Sequence, residues 1–316
     1  MKNKYHTLSI SILCLALLMA ACGQEPVPEA APSPLPAPTE PAQESGDQWH
    51  LVVIGDSSLW RLGKAFAAQI EKDLGVEVVL ADYALPELSA GQVLADLQRE
   101  TPPYGRMRPE FAEDLRQAEV VVMFVNPRDS VDPGKPLDLE GCFTSRLPAA
   151  CSPEAFEQYT ADMKALWAEI LALRGGEPAV LRATDLYNPL VSPWRDAGVF
   201  EACTGCWQNM SDAVRLAAEA YNIPFLSRLD AFNGPDHDED PREKGFIHGD
   251  GEHPSELGAQ FTAELLSQMG YEPVSPPEGA TGVQGMAATP QGTLGPTTVQ
   301  PDTPAPAAFY LSEPGP

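Results

Sequence analysis

A serine, a histidine and an aspartate of this chain are placed along the sequence in a way that suits ester cleavage. Covalent hydrolysis of an ester needs a hydroxyl nucleophile, a base that takes its proton, and an acid that holds the base in the right tautomer. Ser57 follows the apolar run 51–54 through Gly55 and Asp56, where a strand pattern gives way to a helical one. At such a point the hydroxyl can project above the edge of a sheet, and its own N–H can face an oxyanion. The alternative is an ordinary turn in which Ser57 only caps the helix.

The candidate bases are the four histidines that follow residue 21: His50, His237, His248 and His253. His253 stands directly before the last helical pattern and after the fifth apolar run, so the order of elements returns it to the edge that holds Ser57. Asp250 lies three residues earlier, close enough for its carboxylate to reach the imidazole. His50 lies at the start of a strand and therefore at the opposite edge. A loop acid and a helix cap are the alternative interpretation of Asp250 and His253.

Five short apolar runs alternate with helical patterns and must position these residues. The runs begin near residues 50, 76, 119, 178 and 223. Their continuous apolar character is typical of strands covered on both faces. The alternation predicts a parallel sheet with helices on both sides, which binds ligands beyond the carboxyl ends of its strands. Helices are expected over 59–74, 89–99, 109–117 and 208–221, from Ser152 onward and from Pro254 onward, and long loops over 126–152, 184–207 and 227–252.

Three sequence blocks resemble the GDSL or SGNH family of serine esterases and lipases. They are Gly55-Asp56-Ser57, Asn126 after the third strand, and Asp250-x-x-His253-Pro254. The resemblance covers nearly all of residues 50–270. It implies a flavodoxin-like three-layer α/β/α sandwich with a five-stranded parallel sheet, the SGNH hydrolase fold. It also implies that Ser57 is the nucleophile, His253 the general base and Asp250 its partner, acting on acyl or O-acetyl esters of a small molecule or glycan.

The same resemblance implies an oxyanion hole, and here the sequence departs from the family pattern. The hole would consist of the Ser57 N–H, a backbone N–H in the second block, and the side chain of Asn126. Glu87 stands where the family has glycine in the second block, while Phe124 and Pro127 replace the glycine and aspartate of the third. An alternative function follows from these departures. The chain would then be a non-catalytic binding protein of the cell envelope on an esterase-like scaffold.

The N-terminus predicts an exported, lipid-anchored protein. Lys2 and Lys4 precede the apolar run 8–21, which is too short to span a bilayer comfortably. The run ends in Leu-Met-Ala-Ala-Cys, which resembles the lipobox of bacterial lipoproteins, so Cys22 is the expected lipidated residue on the extracytoplasmic side of the membrane. A plain secretory signal, with Cys22 incidental, is the alternative.

Composition divides the chain into four parts. Residues 1–21 are the expected signal peptide, and 22–48 are rich in Pro, Ala and Glu with few large apolar residues. Residues 273–316 are rich in Pro, Gly and Thr. Neither of these two compositions can bury a core, so a flexible tether and a disordered tail are predicted. Residues 49–272 remain as one hydrolase domain of ordinary size.

The formal net charge of -25 argues against nucleic acid as a partner. Phosphate backbones are bound by clustered Lys and Arg, and an excess of carboxylates repels them. A soluble, self-repelling exported surface is the simplest interpretation of this charge.

Four cysteines fall in the predicted domain: Cys142, Cys151, Cys203 and Cys206. An even number in an oxidising compartment favours disulfides. The simplest pairing joins Cys142 to Cys151 and Cys203 to Cys206, although four cysteines allow three connectivities. Only Cys203 and Cys206 have the spacing of zinc ligands, so no metal is predicted, and the proposed chemistry needs no organic cofactor.

An acidic loop and three tryptophans complete the candidates. Residues 236–247 lack the Gly and Glu that an EF-hand loop needs at its sixth and twelfth positions, so a solvated acidic loop is predicted. Trp60, Trp194 and Trp207 could stack on a sugar, but packing against their own elements is the favoured interpretation.

Overall fold

The computed structural model describes residues 48–99, 105–127 and 156–275. Within them, one parallel sheet of five strands has the order β2-β1-β3-β4-β5. The strands are β1 (Gln48–Gly55), β2 (Glu77–Ala84), β3 (Val120–Phe124), β4 (Val180–Thr184) and β5 (Phe225–Leu226). The predicted parallel sheet is therefore confirmed, and its strand order is that of flavodoxin-like folds.

The central strands are buried along most of their length. Every residue of β3 and β4 is buried, as are residues 51–55 of β1. A strand covered by helices on both faces needs apolar side chains in both directions, which explains the continuous apolar runs of the sequence. β2 lies at an edge of the sheet and mixes exposed with buried residues.

Eight α-helices within the described residues complete the architecture. They are α1 (Leu62–Leu74), α2 (Ala90–Leu97), α3 (Phe111–Gln117), α4 (Glu157–Leu173), α5 (Val191–Ala197), α6 (Phe200–Glu219), α7 (Arg228–Asn233) and α8 (Glu256–Gln268). α1 packs against α8, whereas α4 packs against both α2 and α6. From β1 the chain moves to β2 at one edge of the sheet and then returns past β1 to β3. Both connections are right-handed but run in opposite directions, so their helices lie on opposite faces of the sheet. This is the predicted three-layer α/β/α sandwich.

Local signals fix several helix ends. Gly75, which directly follows α1, has a left-handed φ of 70°, which glycine adopts without a steric penalty. Ser89 and Gln92 form a capping box at the start of α2. Ser255 caps α8 by accepting a hydrogen bond from the Gly258 N–H. The last of these caps fixes where α8 begins, three residues after His253.

Two of the predicted loops contain helices. Segment 184–207 includes α5 and the start of α6, and segment 227–252 includes α7. The helix expected over 208–221 therefore begins earlier, at Phe200. The buried Cys203, Cys206 and Trp207 continue its apolar face through the first turns.

The predicted loop 184–207 would have contained Cys203 and Cys206, and that position is wrong. Cys203 and Cys206 lie one turn apart within α6, fully buried, and not in a loop. Cys142 and Cys151 lie outside the described residues. The disulfide pairing of the four cysteines therefore stays a prediction.

The predicted terminal segments also lie outside the described residues. This applies to the signal peptide, Cys22, the tether and nearly all of the tail, so the four-part division of the chain stays an expectation. Within the described ranges, no helix has both the length and the apolar character needed to cross a bilayer.

Candidate active site

The structure brings Ser57, His253 and Asp250 together at the carboxyl edge of the sheet. The Ser57 Oγ lies 3.0 Å from the His253 Nε2. On the other side of the ring, the His253 Nδ1 lies 3.1 Å from Asp250 Oδ2. Both distances are within hydrogen-bond range. With the proton on Nδ1, the imidazole donates to Asp250 and can accept the proton of the Ser57 hydroxyl.

A short turn holds Ser57 at the end of β1. Residues Ser57–Leu59 form one turn of 3₁₀ helix, and the Asp56 side chain caps it by accepting a hydrogen bond from the Ser58 N–H at 2.9 Å. Gly55 lies so close to Phe124 and Leu59 that a Cβ on it would overlap the carbonyl oxygen of the first and the side chain of the second. The Gly-Asp-Ser order thus has a physical reason at its first two positions.

Asp56 also positions Asn126. The second carboxylate oxygen of Asp56 accepts a hydrogen bond from the Asn126 side-chain amide at 3.2 Å. The backbone of Asn126 pairs with the segment at the start of α2. Its N–H donates to the Leu88 carbonyl, and its carbonyl accepts from the Ala90 N–H. Asn126 is therefore held from both its side chain and its backbone beside Ser57.

A buried arginine lies behind the Ser57 turn. The Arg228 guanidinium donates to the Ser58 carbonyl at 2.8 Å and lies 3.1 Å from the Ser58 hydroxyl. Its Nε donates to the carbonyl oxygen of Asp185 at 2.7 Å, while the Asp185 carboxylate accepts from the Arg228 and Leu229 N–H groups. Burial lowers the pKa of Arg228 and raises the pKa of Asp185, and each charge opposes the shift of the other. The pair ties α7 to the turn that carries Ser57, and no pattern in the sequence predicts this contact.

The Asp250 carboxylate receives several hydrogen bonds. Burial opposes its ionisation, but donation from the Glu252 and His253 N–H groups and contacts with two imidazoles together hold the pKa of Asp250 well below its ordinary value. The carboxylate therefore stays ionised wherever a histidine titrates, as the orienting acid of a serine hydrolase must.

His248 is the second imidazole on Asp250. Its Nδ1 lies 2.9 Å from Asp250 Oδ2, the same oxygen that faces His253. The His248 N–H also donates to the His253 carbonyl at 2.8 Å. Asp250 is thus shared by two histidines, an arrangement that the sequence analysis missed although His248 lies only two residues before Asp250.

A pocket of about 190 Å³ opens beside Ser57 and His253. The three predicted oxyanion residues (Ser57, Glu87, Asn126) all line it, together with Asp56, Ser58, Leu186, Tyr187, Pro189, Trp207 and Glu252. Tyr187 donates its hydroxyl to the Glu252 carbonyl at 2.9 Å, so it also braces the loop before His253.

Glu87 occupies a backbone conformation that favours glycine. Its φ is 55°, in the left-handed region. The Leu88 N–H donates to the Leu85 carbonyl at 3.2 Å, which makes residues 85–88 a turn with Pro86 second and Glu87 third. Proline followed by a residue of positive φ is the type II pattern, in which glycine is preferred at the third position. The glycine expected here from the family resemblance is thus explained by the backbone.

The three tryptophans have different surroundings. Trp194 and Trp207 are fully buried and meet edge to face, with ring centroids 5.2 Å apart. The Trp207 indole N–H donates to the Tyr187 carbonyl at 3.0 Å, so Trp207 both anchors its segment and lines the pocket. Trp60 stacks on the His253 imidazole and does not only pack its own helix.

The acidic loop shows no arrangement typical of a metal site. His237 contacts Asp230 and Gln208 through its two ring nitrogens. Among the described residues, no group of three or more His, Cys, Asp and Glu side chains could hold a metal ion.

Several solved structures are similar to this chain. The lipase Lip_vut3 from a goat rumen metagenome has 19% sequence identity and a TM-score of 0.49, over 71% of this chain and 98% of that chain. A lipase/acylhydrolase from Enterococcus faecalis has 16% identity and a TM-score of 0.45, over 70% and 94% of the two chains. A variant of Axe2, an acetyl xylan esterase from Geobacillus stearothermophilus, has 15% identity and a TM-score of 0.45, over 71% and 95%. No family model and no curated protein matches the sequence.

Two variants test whether the backbone at Glu87 is left-handed. Glu87→Gly and Glu87→Ala both remove the carboxylate, so a comparison between them isolates the backbone. Because only glycine adopts this conformation without a steric cost, we expect the free energy of unfolding of Glu87→Gly to exceed that of Glu87→Ala by about 1 kcal/mol. Denaturant unfolding measures both. A higher stability of Glu87→Ala would contradict the left-handed turn.

The lowered pKa of Asp250 predicts a pH-dependent contribution to stability. Its folded pKa lies below the unfolded value of about 4, so the ionised carboxylate stabilises the fold above that pH. The contribution is lost as the pH falls through the lower, folded pKa. We therefore expect Asp250→Asn to reduce the free energy of unfolding at pH 7 and to approach the wild type toward pH 2. Urea unfolding over this range measures the difference, and a difference that does not change with pH would contradict the assignment.

Proposed function

We propose that this protein is a serine hydrolase that cleaves carboxylic esters through an acyl-enzyme intermediate. The observation that carries the proposal is the continuous chain of contacts from Ser57 through His253 to Asp250. Hydroxyl, imidazole and carboxylate in this order are the parts that nucleophilic ester hydrolysis needs. The resemblance of the three sequence blocks to SGNH/GDSL esterases supports the same conclusion.

Each residue has a defined role in the proposed reaction. The Ser57 oxygen attacks the ester carbonyl while its proton passes to the His253 Nε2, and the negative charge of Asp250 stabilises the imidazolium that forms. The tetrahedral intermediate then expels the alcohol, which takes the proton from His253. Water repeats the sequence on the acyl-enzyme, releases the acid and restores the Ser57 hydroxyl.

The developing oxyanion would be stabilised by donors around the pocket. We assign this role to the Ser57 N–H, the Glu87 N–H and the Asn126 side chain, all of which belong to residues that line the pocket. The hydrogen bond from the Asn126 amide to Asp56 supports the assignment of Asn126 as a donor, because a preorganised amide need not reorient during the reaction. The Glu87 carboxylate adds a negative charge at the rim of the pocket, and this is the feature that favours a non-catalytic binding protein as the second candidate.

We propose further that the enzyme acts outside the cytoplasm, tethered by a lipid on Cys22. The support is the sequence alone: a short apolar leader, small residues before the cysteine, and a Pro-rich segment long enough to separate the catalytic domain from a membrane. Its substrate would then be a small-molecule or glycan ester of the cell surface or its surroundings.

A fluorophosphonate probe tests the nucleophile directly. Such probes react with serines activated by a neighbouring base, so we expect the wild type to be labelled and Ser57→Ala to be spared. Ser267→Ala is the control, because it removes a hydroxyl in the last turn of α8, away from the pocket, and should keep the label. If the probe labels a different serine, or if the folded wild type does not react, the proposed nucleophile is wrong and the non-catalytic binding protein is favoured.

The size of the pocket predicts a preference for short acyl chains. Its volume of about 190 Å³ is below the range of roughly 300–1,000 Å³ that is usual for drug-sized ligands. We expect kcat/KM for p-nitrophenyl esters to be highest from acetyl to butyryl and to fall at least about tenfold by octanoyl. Leu186→Ala, which widens the pocket wall, should shift the optimum toward longer chains. A wild-type optimum at long chains would contradict the size argument.

A further inference from the structure

The indole of Trp60 lies parallel to the imidazole of His253. The ring centroids are 4.4 Å apart and the ring planes differ by 14°, which is the geometry of a stacked pair. Trp60 closes the 3₁₀ turn that begins at Ser57, with its N–H donated to the Ser57 carbonyl at 3.1 Å. One short turn therefore supplies both the proposed nucleophile and the aromatic surface on which the proposed base rests.

Arg61 adds a second contact to the same loop. Its guanidinium donates to the Pro254 carbonyl at 3.0 Å, across 193 positions of the sequence. Arg61 adopts a left-handed φ of 67°, which is uncommon for a residue with a side chain. Trp60 and Arg61 thus hold the consecutive residues His253 and Pro254 from one side.

The stack supplies a constraint that hydrogen bonds do not. Contacts with Ser57 and Asp250 lie along one direction through the imidazole, so they fix the two nitrogens but leave the ring able to tilt about the line between them. Asp250 is also shared with His248, so its carboxylate does not hold His253 alone. A flat ring against one face of the imidazole fixes the tilt.

Trp60 lies outside the lining of the pocket beside Ser57. Among the described residues that line the pocket, His253 is present and Trp60 is not. The indole therefore contacts the base without facing the space in which an ester would bind. This separates its role from that of a sugar-stacking platform.

We propose that Trp60 is a positioning residue of the hydrolase, which aligns His253 between Ser57 and Asp250 and favours the imidazolium that forms during the reaction. This inference rests on the proposed function. An aromatic face attracts a cation, so the stack is stronger once His253 has taken the serine proton than before. Its contribution therefore falls mainly on kcat and not on KM.

Four variants test the inference: Trp60→Leu, Trp60→Phe, Arg61→Ala and the control Trp49→Leu. Trp60→Leu is expected to lower kcat for acetyl esters by roughly 5- to 30-fold with KM nearly unchanged. Trp60→Phe keeps an aromatic ring and should recover most of the loss, and Arg61→Ala should lower kcat by a smaller factor. Trp49 contacts Tyr271 at the start of β1, far along the strand from Ser57, so Trp49→Leu should leave kcat unchanged.

Tryptophan fluorescence gives a readout that does not depend on turnover. An imidazolium stacked on indole quenches its emission, so part of the emission of the wild type should depend on pH. This part is expected to disappear in both Trp60→Phe and His253→Gln and to persist in Trp49→Phe. A purely structural role of Trp60 would lower the melting temperature of Trp60→Leu and leave kcat per folded enzyme unchanged.

The outcomes separate this inference from the proposed function. If the wild type is active and Trp60→Leu keeps the full kcat, the positioning role alone is overturned. The same holds if the activity lost in Trp60→Leu is a higher KM and not a lower kcat. Folded wild type without Ser57-dependent hydrolysis overturns the proposed function and, with it, this inference. A kcat loss in Trp60→Leu that Trp60→Phe does not recover, at equal melting temperatures, also counts against the stack.

Discussion

The hydrogen bond between the Ser57 hydroxyl and the His253 imidazole joins residues 196 positions apart. It forms because parallel strands point their carboxyl ends the same way. β1 therefore delivers Ser57 to the edge at which the chain, after β5, also delivers the loop before α8. A shift of that loop by about 1 Å would separate the hydroxyl from the base, and most of the surrounding contacts act against such a shift.

The contacts reach the loop from several elements of the fold. Trp60 and Arg61 hold His253 and Pro254 from the turn that follows Ser57, and Tyr187 binds the Glu252 carbonyl from the segment after β4. Asp250 folds the loop on itself by accepting from two of its N–H groups. The proposed base is therefore held on separate sides, which suits a group that must exchange a proton without changing its position.

Buried charged side chains fix the position of the turn that carries Ser57. Arg228 and Asp185 are both fully buried, and their arrangement places a guanidinium against the Ser58 carbonyl. Charges in a core are costly unless they are paired and hydrogen-bonded, and here each has partners on the backbone. Asp56 adds a carboxylate that reaches both the Ser58 N–H and the Asn126 amide. The turn around Ser57 is thus fixed by polar contacts on a strand end that is otherwise apolar.

The sequence by itself determined the parallel sheet and the three-layer architecture, and its resemblance to a known family named Ser57, His253 and Asp250 as the candidate triad. Continuous apolar runs mark strands buried on both faces, and the order of elements indicates which loops meet at one edge. Helix bounds were harder to predict, as at the start of α6, whose buried Cys203 and Cys206 had been expected in a loop. The stacking of Trp60 on His253, the sharing of Asp250 by His248, and the contact of Arg228 with Ser58 were decided only by the tertiary structure. These contacts depend on side-chain directions between elements far apart in the chain, and no local pattern of residue types encodes such directions.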